Sequence, residues 1–312
     1  MADLKAAMPE AGLSSAEHRP IRRTPLIVFS LLAGLAIAIL WWAKLVDDDI
    51  GVNAANGMLG QNTLTNGIAG SAAGVVFAFT VGLAGTFTAC NVAAFSAIAP
   101  LMEDAQSAGA RLRLALRPLA WLAVGLIVVA GTYGGIGATL GKSIPQLSTA
   151  MIGGTVPERV LQSVVVFSVI GLIFIYLGLA AIDVVPDPLR RIGQRFPYAP
   201  QLVMGALIGG FLIGRPWPLF FKMFQYAAST HNGFYGALTF ILISLGNIVL
   251  MAVLFLALSM TRFQHWLQSK PGRVATFTAS ALLIGGAFTF FYWGVRAPAN
   301  FGYGWFPHMP WG

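Results

Sequence analysis

Two segments apolar enough to lie in a membrane carry side chains able to do chemistry. In GGFLIGRPWPLFFKMFQYAA, Arg215 stands directly before Pro216, Trp217 and Pro218. In GLAGTFTACNVAAFSAIAPL, Cys90 stands beside Asn91. An intramembrane charge costs on the order of 2.5–3.5 kcal/mol on insertion scales, so it faces protein or water and is retained for a function. The plainer role is local: prolines remove helix hydrogen bonds, and a guanidinium satisfies the carbonyls they free. The functional role is to hold an anion, a lipid headgroup or a partner chain with a planar five-donor fork. Lys222 follows seven residues later. If the helix resumes, it lies two turns further along a similar face and forms with Arg215 a positive patch open to the outer side.

Cys90 is the chain's one cysteine. It offers redox or metal-binding chemistry, but most free cysteines act as small buried hydrophobes, and no His or basic residue adjoins it. It has no second thiol with which to form an intramolecular disulfide. Asn91 and Asn247 are amides in apolar helices, suited to interhelical hydrogen bonds or to lining a cavity. His231 and His308 are far apart and lack a Cys or carboxylate motif, which argues against a metal site. There is no CxxCH, Walker loop, HExxH or nucleophile elbow. TYGGIGATLG reads as a helix end, because no strand precedes it to make a dinucleotide loop. The sequence calls for no cofactor and no metal.

These residues must be positioned by membrane helices. Of 312 residues, 57% are hydrophobic and 10% charged, against about 25% charged in soluble domains; the mean hydropathy is +0.75. The 36 glycines lie inside apolar runs, where small residues allow close helix approach. The net charge of +8 does not point to nucleic acid, because the basic residues cluster at the ends of apolar runs; the partner it implies is membrane lipid. At roughly 20 residues per crossing, the sequence predicts an all-α polytopic bundle of seven spans near 25–46, 71–101, 118–141, 160–182, 200–226, 234–260 and 274–295, the second and fifth broken. Residues 1–24 form a tail, 25–46 an anchor helix, 47–70 an external loop, 71–296 the main transmembrane domain and 297–312 an aromatic external tail.

Lys/Arg asymmetry orients the chain. With the N-terminus in the cytoplasm, 13 of the 19 basic residues fall on inner segments, including Arg111, Arg113, Arg117, Arg190, Arg191 and Arg195. Reporter fusions after Gly109 and Gly193 are therefore expected to read cytoplasmic, and fusions after Asn62 and Gly312 external. An external signal at Gly193 contradicts this topology.

With an offset of 127 residues, Gly82 falls on Gly209 and Cys90 on Trp217. Three spans follow in the same order in each half, and three is odd, so the second copy is inverted. Broken helices at corresponding positions of two halves point to a site at the repeat interface. This arrangement resembles the CcdA/DsbD transmembrane family of cytochrome c biogenesis and thiol–disulfide transport, over roughly residues 70–296. The resemblance implies a cysteine in each broken helix, flanked by prolines, passing electrons outward from thioredoxin. Here Cys90 lies between Ala89 and Asn91, with Ala93 beyond, and the second motif keeps Pro216 and Pro218 around Trp217. The family's exchange needs two thiols, so it does not carry over, and a redox enzyme is disfavoured. GALIGGFLIGRPWPLFFKMFQYAAS, with the extra first helix, resembles the MauF methylamine-utilisation branch of that family. That resemblance implies a multi-pass protein of the bacterial inner membrane serving maturation of methylamine dehydrogenase, a periplasmic disulfide-rich enzyme, with a periplasmic thioredoxin-like protein as partner. Two alternatives remain open on the residues alone: a small-anion transporter built on Arg215 and Lys222, and a structural subunit docking through the first span and the aromatic tail.

Overall fold

The computed structural model describes residues 23–86, 108–259, 272–307 and 309–310. Cys90, Asn91 and His308 lie outside the described residues. The architecture is helical: α1 (Arg23–Leu40), a π-helical turn (Leu45–Val52), α2 (Asn53–Leu59), α3 (Ser71–Ala84), α4 (Ala108–Leu140), α5 (Glu158–Ala180), α6 (Arg190–Arg195), α7 (Ala199–Gly214), α8 (Pro218–Ser229), α9 (Gly233–Ser259), α10 (Arg273–Thr289), a second π-helical turn (Phe290–Arg296) and α11 (Ala297–Asn300). Among the described residues the one sheet is a small antiparallel hairpin, β1 (Met151–Ile152) with β2 (Val156–Pro157), pairing Met151 with Pro157.

Among the described residues, five helical stretches are long and apolar enough to cross a membrane: α1, Leu116–Leu140 of α4, α5, Gly233–Leu250 of α9, and Arg273–Asn300. Helices α7 and α8 make a sixth if counted together, though they meet at 84°. The chain is a multi-pass membrane protein. The expected second span, 71–101, is represented by the 14 residues of α3; its remainder lies outside the described residues, so five or six crossings are seen where seven were expected.

The helices touch at glycines. A Cβ at Gly82 would meet Ile243 O, and one at Gly246 would meet Phe79 O, so α3 and α9 cross antiparallel on reciprocal glycines. Helices α4 and α7 do the same, with Gly125 against Leu202 O and Gly205 against Leu122 O. Between α5 and α10, a Cβ on Gly171 would lie 2.9 Å from Gly286 O, and one on Gly286 would lie 2.7 Å from Gly171 O. Lipid gives no hydrophobic drive between helices, so contact of this kind carries the association. The expected anchor helix is also part of the bundle: a Cβ at Gly34 of α1 would come within 2.6 Å of Ile284 O and of Ala287 Cβ on α10. Its other face, with Phe29 and Leu32, is exposed.

Two boundaries differ from expectation. The first span, read as 25–46, is interrupted at Trp41–Trp42. The stretch 47–70, read as a loop, is helical as far as Leu59 and becomes irregular only after Gly60, whose φ of 63° ends α2. Asp47 and Asp48 open that helical stretch, where acidic side chains favour the positive end of a helix dipole. Polarity there marks a helix start, not a loop.

Candidate functional site

Helix α7 stops at Gly214. Arg215 (φ −77°, ψ 112°) and Trp217 (φ −62°, ψ 130°) are extended, and α8 begins at Pro218. Proline suits a first helical turn, where its missing N–H costs nothing. At the end of α7, however, the extended backbone of Arg215–Trp217 leaves carbonyls without their usual helical donors. Other side chains fill the gap. Gln162 Nε2 donates to Ile213 O at 2.8 Å and to the Tyr133 hydroxyl at 3.1 Å, and that hydroxyl donates to Ile213 O at 3.4 Å. Gln146, on the α4–α5 connection, donates to Arg215 O at 3.5 Å. Sequence reading missed all three. Gln162 left a signal, a lone amide within VLQSVVVF.

Arg215 reaches beyond its own break. Its Nη1 donates to Gly85 O at 3.1 Å, just past the end of α3, where a cation complements the negative end of a helix dipole. Its guanidinium lies 4.8 Å from the Phe220 ring centre and 5.2 Å from that of Trp217. Nη2 is 3.8 Å from Asp47 Oδ1. Asp47, assigned by sequence to the external loop 47–70, folds back onto Arg215 as its acidic partner. Trp217 is buried and its Nε1 donates to Asp47 O at 3.2 Å. Burial pushes the Asp47 carboxyl above its ordinary value; Arg215 pulls it back down and Asp48 adds to the rise.

Lys222 does not extend a positive patch. The 84° bend destroys the shared helical face, and Lys222 Nζ instead donates to Thr63 O at 2.6 Å, to Leu64 O at 3.2 Å and to Asn66 O. It pins the 60s loop over α8. Asn247 is buried on α9, and its Oδ1 has no hydrogen-bond partner among the described residues; it does not line the cavity at the break. His231 adopts a φ of 52° in the α8–α9 turn. Among the described residues no group of His, Cys, Asp or Glu is arranged to hold a metal ion.

Beside Arg215, Pro216, Trp217 and Pro218 lies a cavity of about 140 Å³. Asp47 and Trp41, Phe167 of α5 and Phe211 of α7, and Phe288, Tyr292 and Trp293 complete its lining. Arg296 is not part of that lining but lies against Tyr292. It is buried, sits 5.1 Å from the Tyr292 ring centre, and donates to Ala38 O at 2.7 Å and Trp41 O at 3.2 Å. It ties the second π-helical turn to the end of α1.

Comparison with protein-family models, with curated proteins and with solved structures gives no match for this chain. Fold and site define a multi-pass helical membrane protein with a broken helix, a semi-buried Arg–Asp pair and an aromatic cavity.

Proposed function

We propose that the chain is an accessory protein of the CcdA/DsbD type, close to the MauF branch. It sits in the bacterial inner membrane with the N-terminus cytoplasmic and the C-terminus periplasmic. It assists maturation of a periplasmic disulfide-rich enzyme such as methylamine dehydrogenase, alongside a thioredoxin-like partner, without a dithiol relay of its own. The observation that carries this reading is a link between the two corresponding segments: Arg215, at the break of the second, caps the end of α3, the described part of the first. In the sequence, the absence of a second cysteine removes the relay.

Seven spans and an inverted 3+3 repeat follow from the same reading. The reciprocal glycine crossings support it: the first helix of each half packs on the second helix of the other, α3 on α9 and α7 on α4. Gly82 then corresponds to Gly205, one helical turn before the Gly209 that simple alignment pairs with it. Segments assigned to one side also touch one another, as Lys222 does the 60s loop and the Tyr303 hydroxyl does Thr155 at 3.1 Å. At the other end Arg23 donates to Asp183 O at 3.2 Å. The anion-transporter reading loses ground, because Arg215 is paired with Asp47 and Lys222 is held by carbonyls.

The test is Cys90→Ser in a strain that depends on the protein for client maturation. Client activity is expected to stay at the wild-type level. Loss of activity at normal membrane abundance, with a mixed disulfide trapped on Cys90, would instead make the thiol a reactant.

A further inference from the structure

Three departures from regular α-helix border one cavity: the break at Arg215–Trp217, the π-helical turn carrying Asp47, and the π-helical turn carrying Tyr292 and Trp293. Segments of π-helix are rare and frequent at functional sites. The cavity volume of about 140 Å³ is close to that of an engineered protein cavity, about 150 Å³, that accepts one benzene. Its walls are ring surfaces: Phe167 stacks on Trp293 at 4.6 Å and 19°, and on Phe211 at 5.4 Å and 25°. The other end is polar, formed by Arg215 and Asp47.

These features select an occupant. A plain hydrocarbon ring would cover the polar end without giving it a hydrogen bond, which is costly. An organic cation would be attracted by the rings and an organic anion by Arg215, but the guanidinium groups of Arg215 and of Arg296, against Tyr292, are offset by the neighbouring carboxylates of Asp47 and Asp48, so the site has no net charge to hold either. We propose that the cavity binds one uncharged six-membered ring of the benzoquinone–quinol class, its oxygen at the Arg215–Asp47 end. A quinone oxygen accepts from the guanidinium, and a quinol hydroxyl donates to the carboxylate. The inference rests on the reading of the break as the working site of the protein.

Calorimetry on the purified full chain in lipid nanodiscs under argon tests it with unsubstituted 1,4-benzenediol, which is close to benzene in size and, while it stays reduced, does not add to the Cys90 thiol. Saturable one-to-one binding is expected, unaffected by excess phenyltrimethylammonium or benzoate. Binding should be at least tenfold weaker in Phe211→Trp, which fills the cavity, and in Arg215→Lys. Absence of saturable binding to the wild type overturns the proposal, as does displacement by either charged ring. Undiminished binding to a Phe211→Trp chain of unchanged melting temperature overturns it too; if that variant fails to fold, the competition experiment on the wild type decides. Failure here leaves the maturation reading standing, since that is scored by client activity. Conversely, full client activity in a strain deleted for the gene would sink the maturation reading alone and leave ring binding to the purified chain untouched.

Discussion

Arg215→Leu is expected to lower client-enzyme activity at least tenfold while membrane abundance stays within about twofold of wild type. The two readouts separate because the energetic effects on the fold oppose each other. Leucine leaves Gly85 O without the Arg215 donor, a loss of about 1–3 kcal/mol where the carbonyl is shielded from water. The Asp47 contact is long, at 3.8 Å, and the Asp47 side chain is 39% exposed, so losing it costs about 1 kcal/mol or less. Removing a charge from an apolar segment makes insertion easier by a comparable amount. The net change in folding is therefore small, whereas the polar end of the site disappears. Arg215→Lys keeps the charge but not the planar fork that reaches Gly85 O and Asp47 together, and activity is expected to fall several-fold. Full activity in Arg215→Leu would reduce the residue to a structural one.

The largest loss of stability is expected from Gly205→Val. The added Cβ would fall on Leu122 O, and backbone of one helix cannot yield to it without moving α4 away from α7. Overpacking typically costs 1–3 kcal/mol; here, with backbone as the obstacle, about 3 kcal/mol or more is expected. The melting temperature of the purified chain in detergent measures it, with Gly57→Ala as control, since a Cβ at Gly57 meets nothing within 4 Å. A Gly205→Val chain that melts like the wild type would mean that α4 and α7 do not cross at these residues.

The break between α7 and α8 was legible in the sequence because its signal is local: an arginine and two prolines within four positions of an apolar run leave few other readings. The helical bundle was legible for the same reason, as apolar runs of the required length. What surrounds the break was not. Asp47 lies 168 positions before Arg215 and belongs by polarity to a loop, yet the π-helical turn after α1 folds it back onto the site. Tyr133, Gln146 and Gln162 come from two helices and a connection that only packing brings together. The Arg215–Lys222 face failed because helical periodicity does not survive an 84° bend. The one-turn shift from Gly209 to Gly205 has a similar origin: glycines recur along α7 at Gly205, Gly209 and Gly210, and only the carbonyls that they meet distinguish one register from the next.

The central claim, that this chain serves maturation of a periplasmic disulfide-rich enzyme, is tested most directly by deleting its gene in the native host. The measurement is activity and export of methylamine dehydrogenase, with and without the wild-type gene restored. The account predicts that the enzyme subunit still reaches the periplasm but has less than a tenth of its activity, recovered on complementation. Full activity in the deletion strain would contradict it.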